Sequence, residues 1–118
     1  MSGVSIIEYK GKEIIRLDYR GLVEDQIIDC LKKAEEILTK FQRPKLNLTI
    51  FCGAYATKRV MDQAMILAKR TKHYSEKGAI VGVDGSKKII LEAFNKTLYN
   101  KGLVPFDSEQ AALEYLIK

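Results

Sequence analysis

Apolar and polar residues follow two periods along this chain, and these periods predict its strands and helices. Two β-rich segments, VSIIEYK and EIIRLDY, open the sequence and read as a hairpin. Apolar residues then recur every three or four positions in LVEDQIIDCLKKAEEILTKF. This spacing predicts a long amphipathic helix with an apolar stripe of Ile27, Leu31, Ala34, Leu38 and Phe41.

The rest of the chain alternates between strand and helix patterns. KLNLTIFC, GAIVGV and LVPF are predicted strands, whereas TKRVMDQAMILAKRTKHYSE, KKIILEAFNKTLYNKG and DSEQAALEYLIK are predicted helices. The resulting order is β-β-α-β-α-β-α-β-α. Three β-α-β crossovers predict an α/β fold with a five-stranded mixed, mainly parallel sheet and four helices. At 118 residues, we expect one domain spanning 1–118.

The third strand differs between its two faces. One face is apolar throughout, and the other is half polar because it carries Asn47, Thr49 and Phe51. A central strand covered by helices on both sides is usually apolar on both faces. We therefore expect the helices to crowd one face of the sheet and to leave the other more open.

Composition and charge narrow the classes of function. The chain carries a net charge of +5, and its basic residues concentrate in the predicted second and third helices. Such a surface is either an ordinary solvated helix face or one that attracts acidic partners and anionic head groups. No signal peptide or membrane-spanning run is visible, so we expect a cytoplasmic protein. Cys30 and Cys52 form no disulfide framework and are predicted to be reduced core residues.

The end of the chain carries a recognisable motif. In KGLVPFDSEQAALEYLIK a short strand leads to an Asp-Ser pair, an acid, and then Ala-x-x-Tyr-Leu. With AIVGVDGSKKIILEAFNK and the element order, this ending resembles the STAS domain (sulphate transporter and anti-sigma factor antagonist). The closest likeness is to small stand-alone SpoIIAA-like bacterial proteins, a group often compared with the CRAL-TRIO lipid-binding fold. The resemblance covers essentially the whole chain and implies a non-catalytic regulatory or protein-interaction module.

The sequence departs from that family at one functional position. STAS domains carry their regulatory serine in an Asp-Ser-(Ser/Thr)-Gly turn between the third strand and the second helix. Here that turn reads CGAYATKR, which lacks the Asp-Ser pair and the following glycine. The phosphoserine role therefore cannot be carried over. Thr57 is the nearest hydroxyl, and it is more readily explained as a helix N-cap.

Two helix starts follow parallel strands and are candidate ligand sites. Both are predicted at the carboxyl edge of the sheet, where open α/β sheets bind ligands, and their free N–H groups suit an anion. The binding hypothesis is a lipid-like or anionic small ligand, with an anionic head at these helix starts. The candidate residues are Gly53, Tyr55, Thr57, Lys58, Ser86 and Lys87.

The second helix offers a candidate partner surface. Ile66 is predicted to project away from the core among cationic residues, and such a patch is either ordinary surface or a contact point for a protein. Its members are Arg59, Ile66, Arg70 and His73. We expect an unidentified protein partner or a small amphiphile, and a monomer or weak homodimer.

Catalysis, metals and nucleic acids find no support in the sequence. The only histidine, His73, has no nucleophile that the sequence places beside it, so we predict that the protein is not an enzyme. No spacing typical of metal ligands and no dinucleotide or phosphate-loop fingerprint is present, and we expect no cofactor. The basic residues are not interleaved with exposed aromatic residues as in nucleic-acid binding proteins.

Overall fold

A computed structural model describes residues 3–54, 57–96 and 102–118. Its elements follow the predicted order of strands and helices. They are β1 (Gly3–Tyr9), β2 (Lys12–Asp18), α1 (Glu24–Phe41), β3 (Leu46–Ile50), α2 (Lys58–Thr71), β4 (Lys77–Val81), α3 (Ser86–Lys96), β5 (Leu103–Phe106) and α4 (Glu109–Leu116).

The five strands form one sheet in the order β1-β2-β3-β4-β5. β1 pairs antiparallel with β2, and the other neighbours are parallel. The predicted mixed, mainly parallel sheet with four helices is therefore confirmed. The β1–β2 loop is Lys10-Gly11, and both residues have positive φ, 48° and 85°, as a type I′ turn requires.

Helices cover both faces of this sheet, so the expectation that they crowd one face was wrong. α4 lies on the apolar face of β3, where its Ala112, Leu113 and Leu116 join a buried cluster with Leu48 and Ile50. The half-polar face carries α1, α2 and α3, whose buried residues join a second cluster with β2 and β4. One short helix is enough to cover the first face. Three helices share the second.

Two residues predicted to be buried lie on the surface. Phe41 is 55% exposed because it is the last residue of α1 and follows the final buried turn, which ends at Leu38. Cys52 is also exposed, whereas Cys30 is half-buried. Cys52 lies two residues beyond the end of β3 and has a φ of 29°, so its backbone has already left the strand conformation. The rest of the predicted α1 stripe is buried.

Candidate functional site: a cavity between the sheet and three helices

A cavity of about 410 Å³ lies between the half-polar face of the sheet and helices α1, α2 and α3. Its floor is formed by β2, β3 and β4, and α2 and α3 form its two long walls. Most of its lining is apolar, including Leu17, Ile80, Leu67, Leu91 and Phe94. Protein interiors are close-packed, with few voids larger than a water molecule. A space of this size is therefore a candidate ligand site.

The inward face of α2 shows the effect of this space on the core. Val60 and Thr71, at its two ends, are buried. Ala64, Leu67 and Ala68 lie between them on the same face and have the spacing of core residues, but they are only half-buried. They line the cavity, so their inner side meets open space. Ile90 of α3 also lines it and is 37% exposed, which places it where the cavity reaches the surface.

Polar side chains lie on the floor of the cavity along β3. The polar residues are Asn47 and Thr49, which alternate with the residues that face α4, and the apolar Phe51 continues this row just beyond the strand; all three line the cavity. The Asn47 side-chain amide donates hydrogen bonds to Ser75 Oγ and to the Lys77 carbonyl, both at 3.3 Å. The half-polar face seen in the sequence is the floor of this cavity.

Lys87 places a positive charge at the carboxyl edge of the sheet, at the end of the cavity next to Phe51. Its Nζ donates a hydrogen bond to the Ala54 carbonyl at 3.2 Å and lies 5.2 Å from the centre of the Phe51 ring. Among the described residues, no carboxylate is within ion-pair distance of this ammonium. A ring face and a neutral carbonyl stabilise the cation without neutralising it.

The start of α2 differs from that of α3, although both were predicted as anion sites. The Thr57 hydroxyl accepts a hydrogen bond from the Val60 N–H at 3.3 Å, so Thr57 caps the helix. The same hydroxyl donates to Glu24 Oε1 at 2.5 Å. A carboxylate beside this helix start disfavours a bound anion. Lys58 is exposed and pairs with Asp62 at 2.8 Å, one turn along the helix.

The remaining ligand candidates contribute less to the site. Gly53 is exposed in the β3–α2 turn, with a φ of 80° that glycine adopts without strain. Tyr55 lies outside the described residues, as does the side chain of Ser86. Of the six predicted ligand residues, the structure thus brings Lys87 to the cavity with its charge available. That these six residues together bind a ligand stays a prediction.

The predicted partner surface on α2 carries less free charge than its sequence indicates. Ile66 is 42% exposed, and His73 is exposed. Arg59, however, pairs with Glu24 at 3.1 Å and with Asp25 at 3.0 Å on α1. Arg70 likewise pairs with Glu35 at 2.6 Å. These arginines tie α2 to α1.

An ionic network on the other side of the sheet was missed by sequence reasoning. Asp18 ends β2 and is only 1% exposed. It accepts hydrogen bonds from Arg20 Nη2 at 2.6 Å, Arg20 Nε at 2.9 Å and Arg16 Nη1 at 3.3 Å. Arg16 in turn binds both carboxylate oxygens of Glu109 on α4. The Arg20 hydrogen bonds lower the pKa of Asp18, and the Arg16 hydrogen bonds lower that of Glu109.

Within residues 3–54, 57–96 and 102–118, no group of three or more His, Cys, Asp or Glu side chains is placed to hold a metal ion. In the same ranges, no helix has the length and apolar character needed to cross a membrane. Burial raises the pKa of the Cys30 thiol, which keeps that thiol protonated and poorly nucleophilic.

Comparison with known proteins identifies the fold. No family model matches this sequence, and no curated protein matches it. Among solved structures, the chain is similar to an uncharacterized protein of the DUF3478 family with a SpoIIAA-like fold, from Shewanella loihica PV-4. The alignment covers 98% of this chain and 95% of that one, with a TM-score of 0.69 and 13% identity. This protein therefore has the SpoIIAA-like fold, as its sequence predicted.

Proposed function

We propose that this protein binds a small lipid-like molecule in the cavity between its sheet and helices α1, α2 and α3. The observation that carries this proposal is the cavity itself. Its volume of about 410 Å³ falls in the range of small-molecule sites, and its mostly apolar lining with a few polar groups is typical of them. An apolar ligand would bury the half-exposed inner face of α2 and gain the hydrophobic free energy of that contact.

Lys87 supports a specific orientation for the ligand. Its side chain is half-buried at the carboxyl edge of the sheet, where the ammonium contacts the Ala54 carbonyl and the face of the Phe51 ring. An acidic head group there would form the ion pair that the described residues do not supply, and a charge-assisted hydrogen bond is stronger than a neutral one. The tail would then run along β3 into the apolar part of the cavity.

The first experiment asks whether binding depends on the cavity. Delipidated protein is titrated with palmitate, using displacement of a fluorescent fatty acid as the readout. Ala68→Phe places a ring in the cavity and should weaken binding about tenfold or more, which corresponds to about 1.4 kcal/mol. Ala111→Phe is the matched control, because Ala111 is exposed on α4. Equal affinities in the two variants would place palmitate elsewhere and overturn the proposal.

A second titration tests the head group. Lys87→Met should weaken the binding of palmitate and leave the binding of its uncharged methyl ester nearly unchanged, because only the acid uses the ammonium. Lys88→Met is the matched control, since Lys88 is the exposed neighbour of Lys87. If both lysine variants bind the acid and the ester as wild type does, the assigned orientation is wrong.

A protein-interaction module is the second candidate. The SpoIIAA-like fold suggests such a role, and the exposed Ile66 on the outer face of α2 supports a contact surface there. The ion pairs of Arg59 and Arg70 with α1 reduce the positive charge around it. This surface and the cavity lie on opposite faces of α2, so one protein can use both.

A further inference from the structure

The hydroxyl group of Thr49 has no hydrogen-bond partner among the described residues. Thr49 is the next-to-last residue of β3, is 7% exposed and lines the cavity. The other described threonines all use their hydroxyls: Thr39 donates to the Glu35 carbonyl, Thr71 to the Leu67 carbonyl, and Thr57 to Glu24. Buried polar groups are nearly always paired. The Thr49 hydroxyl oxygen is not among the fully buried unpaired atoms of the described residues, so it faces open space in the cavity, where a bound ligand can reach it.

Asn47 adds an open acceptor on the same floor. Its Nδ2 atom donates to Ser75 and Lys77, which fixes the orientation of the amide and leaves Oδ1 for another partner. Oδ1 lies against Gly78, where a β-carbon would be only 2.7 Å away. A larger residue at Gly78 would collide with this oxygen, so the glycine preserves the space around it.

These polar groups form a row along one strand. Alternate residues of a strand are about 7 Å apart. Thr49 therefore lies about 7 Å from Phe51, which carries the Lys87 ammonium over its ring, and Asn47 lies about 7 Å further on. The walls beside this row, formed by α2 and α3, are mostly apolar. The cavity thus presents the Lys87 cation at one end and a hydroxyl between that end and the other charged residues that line it, Lys72, Glu76 and Lys77.

We infer that the ligand is an elongated acidic amphiphile that carries a hydrogen-bonding oxygen within its apolar body, and that Thr49 recognises this oxygen. The inference rests on the proposed function and specifies its ligand class as oxygenated rather than plain acyl chains. An unsubstituted chain packed on β3 would displace water from Thr49 and leave its hydroxyl unpaired. A mid-chain hydroxyl or ketone would accept a hydrogen bond from it. Discrimination of this kind arises because a site built to pair a polar group rejects the analogue that lacks it.

The experiment compares palmitate with palmitates hydroxylated at successive mid-chain carbons, each titrated into delipidated full-length protein. We expect the wild type to bind at least one hydroxylated isomer about tenfold more tightly than palmitate, as one well-placed hydrogen bond allows. Thr49→Val keeps the shape of the side chain and removes the hydroxyl, so it should abolish this preference. Thr49→Ser keeps the hydroxyl and should retain it.

Thr39→Val is the matched control, because Thr39 is exposed on α1 and outside the cavity lining. It should retain the preference for the hydroxylated isomer. If the wild type binds palmitate but prefers no hydroxylated isomer, or if Thr49→Val keeps the preference, the role of Thr49 is wrong and the proposed function stands. If neither palmitate nor any isomer binds, the proposed function itself fails.

Discussion

Filling the cavity should stabilise the protein while it weakens ligand binding. Ala68→Leu adds three carbons to a side chain that lines the cavity and is only half-buried. Each buried methylene is worth about 0.8 kcal/mol, so the added contact contributes about 2.4 kcal/mol. Ordering the leucine side chain costs about 0.5–1 kcal/mol. Alanine and leucine differ little in helix propensity, so the net gain in the free energy of unfolding is about 1–2 kcal/mol.

The assay is urea and thermal unfolding of delipidated protein, followed by circular dichroism. For a domain of this size, the gain corresponds to a rise in Tm of roughly 4–10 °C. Ala34→Leu is the matched control, because Ala34 faces the packed core from α1 and is 0% exposed. Overpacking at that position should cost about 1–3 kcal/mol. If Ala68→Leu destabilises the protein as much as Ala34→Leu does, the space beside α2 is not available and the argument for a cavity fails.

Three further predictions concern the Asp18 network and the outer face of α2. Asp18→Ala should lower the free energy of unfolding at neutral pH by about 2–4 kcal/mol. This is somewhat less than the cost of breaking a fully buried ion pair, because Arg20 is half exposed. Denaturant titration measures this loss, and a loss below about 1 kcal/mol would show that the network contributes little. Because its folded-state pKa is lowered, the contribution of Asp18 is present above about pH 4, the unfolded pKa, and is lost as the pH falls through the folded pKa. Asp18→Asn should therefore flatten the loss of stability of the wild type in acid. Ile66→Asp should change the free energy of unfolding by less than about 1 kcal/mol, as substitutions at surface positions generally do. It should also abolish a protein complex formed through the outer face of α2. A large loss of stability would mean that Ile66 packs in the core.

The sequence predicted the fold because its periodic patterns were strong. The helical stripe of α1 and the continuous apolar run of β4 have few alternative explanations, and the element order then limits the topology. The half-polar face of β3 was also visible, but its meaning was misjudged. Asn47 and Thr49 indicated an open sheet face, whereas they form the floor of a cavity that three helices enclose.

The site could be predicted only in part, because the distance at which helices pack against one another and against the sheet is not determined by a local sequence pattern. Ala64 and Ala68 have the spacing of core residues, and nothing in that spacing shows that their inner side meets open space. The partners of the charged residues were equally hidden. Arg59 and Glu24 are 35 positions apart, and a charge count along α2 cannot show that α1 neutralises part of it. Lys87 could be named as a candidate because a helix start after a parallel strand is itself a sequence signal.

The most direct test of the proposed function is to locate a bound ligand by NMR. Carbon-13 labelled palmitate is added to the delipidated protein, and intermolecular NOEs from its chain are assigned. We expect NOEs to cavity residues on both walls and the floor, such as Leu67, Phe94 and Ile80, with the carboxylate end nearest to Lys87. NOEs confined to exposed apolar residues such as Ile66 and Phe41, with none to the cavity, would contradict it.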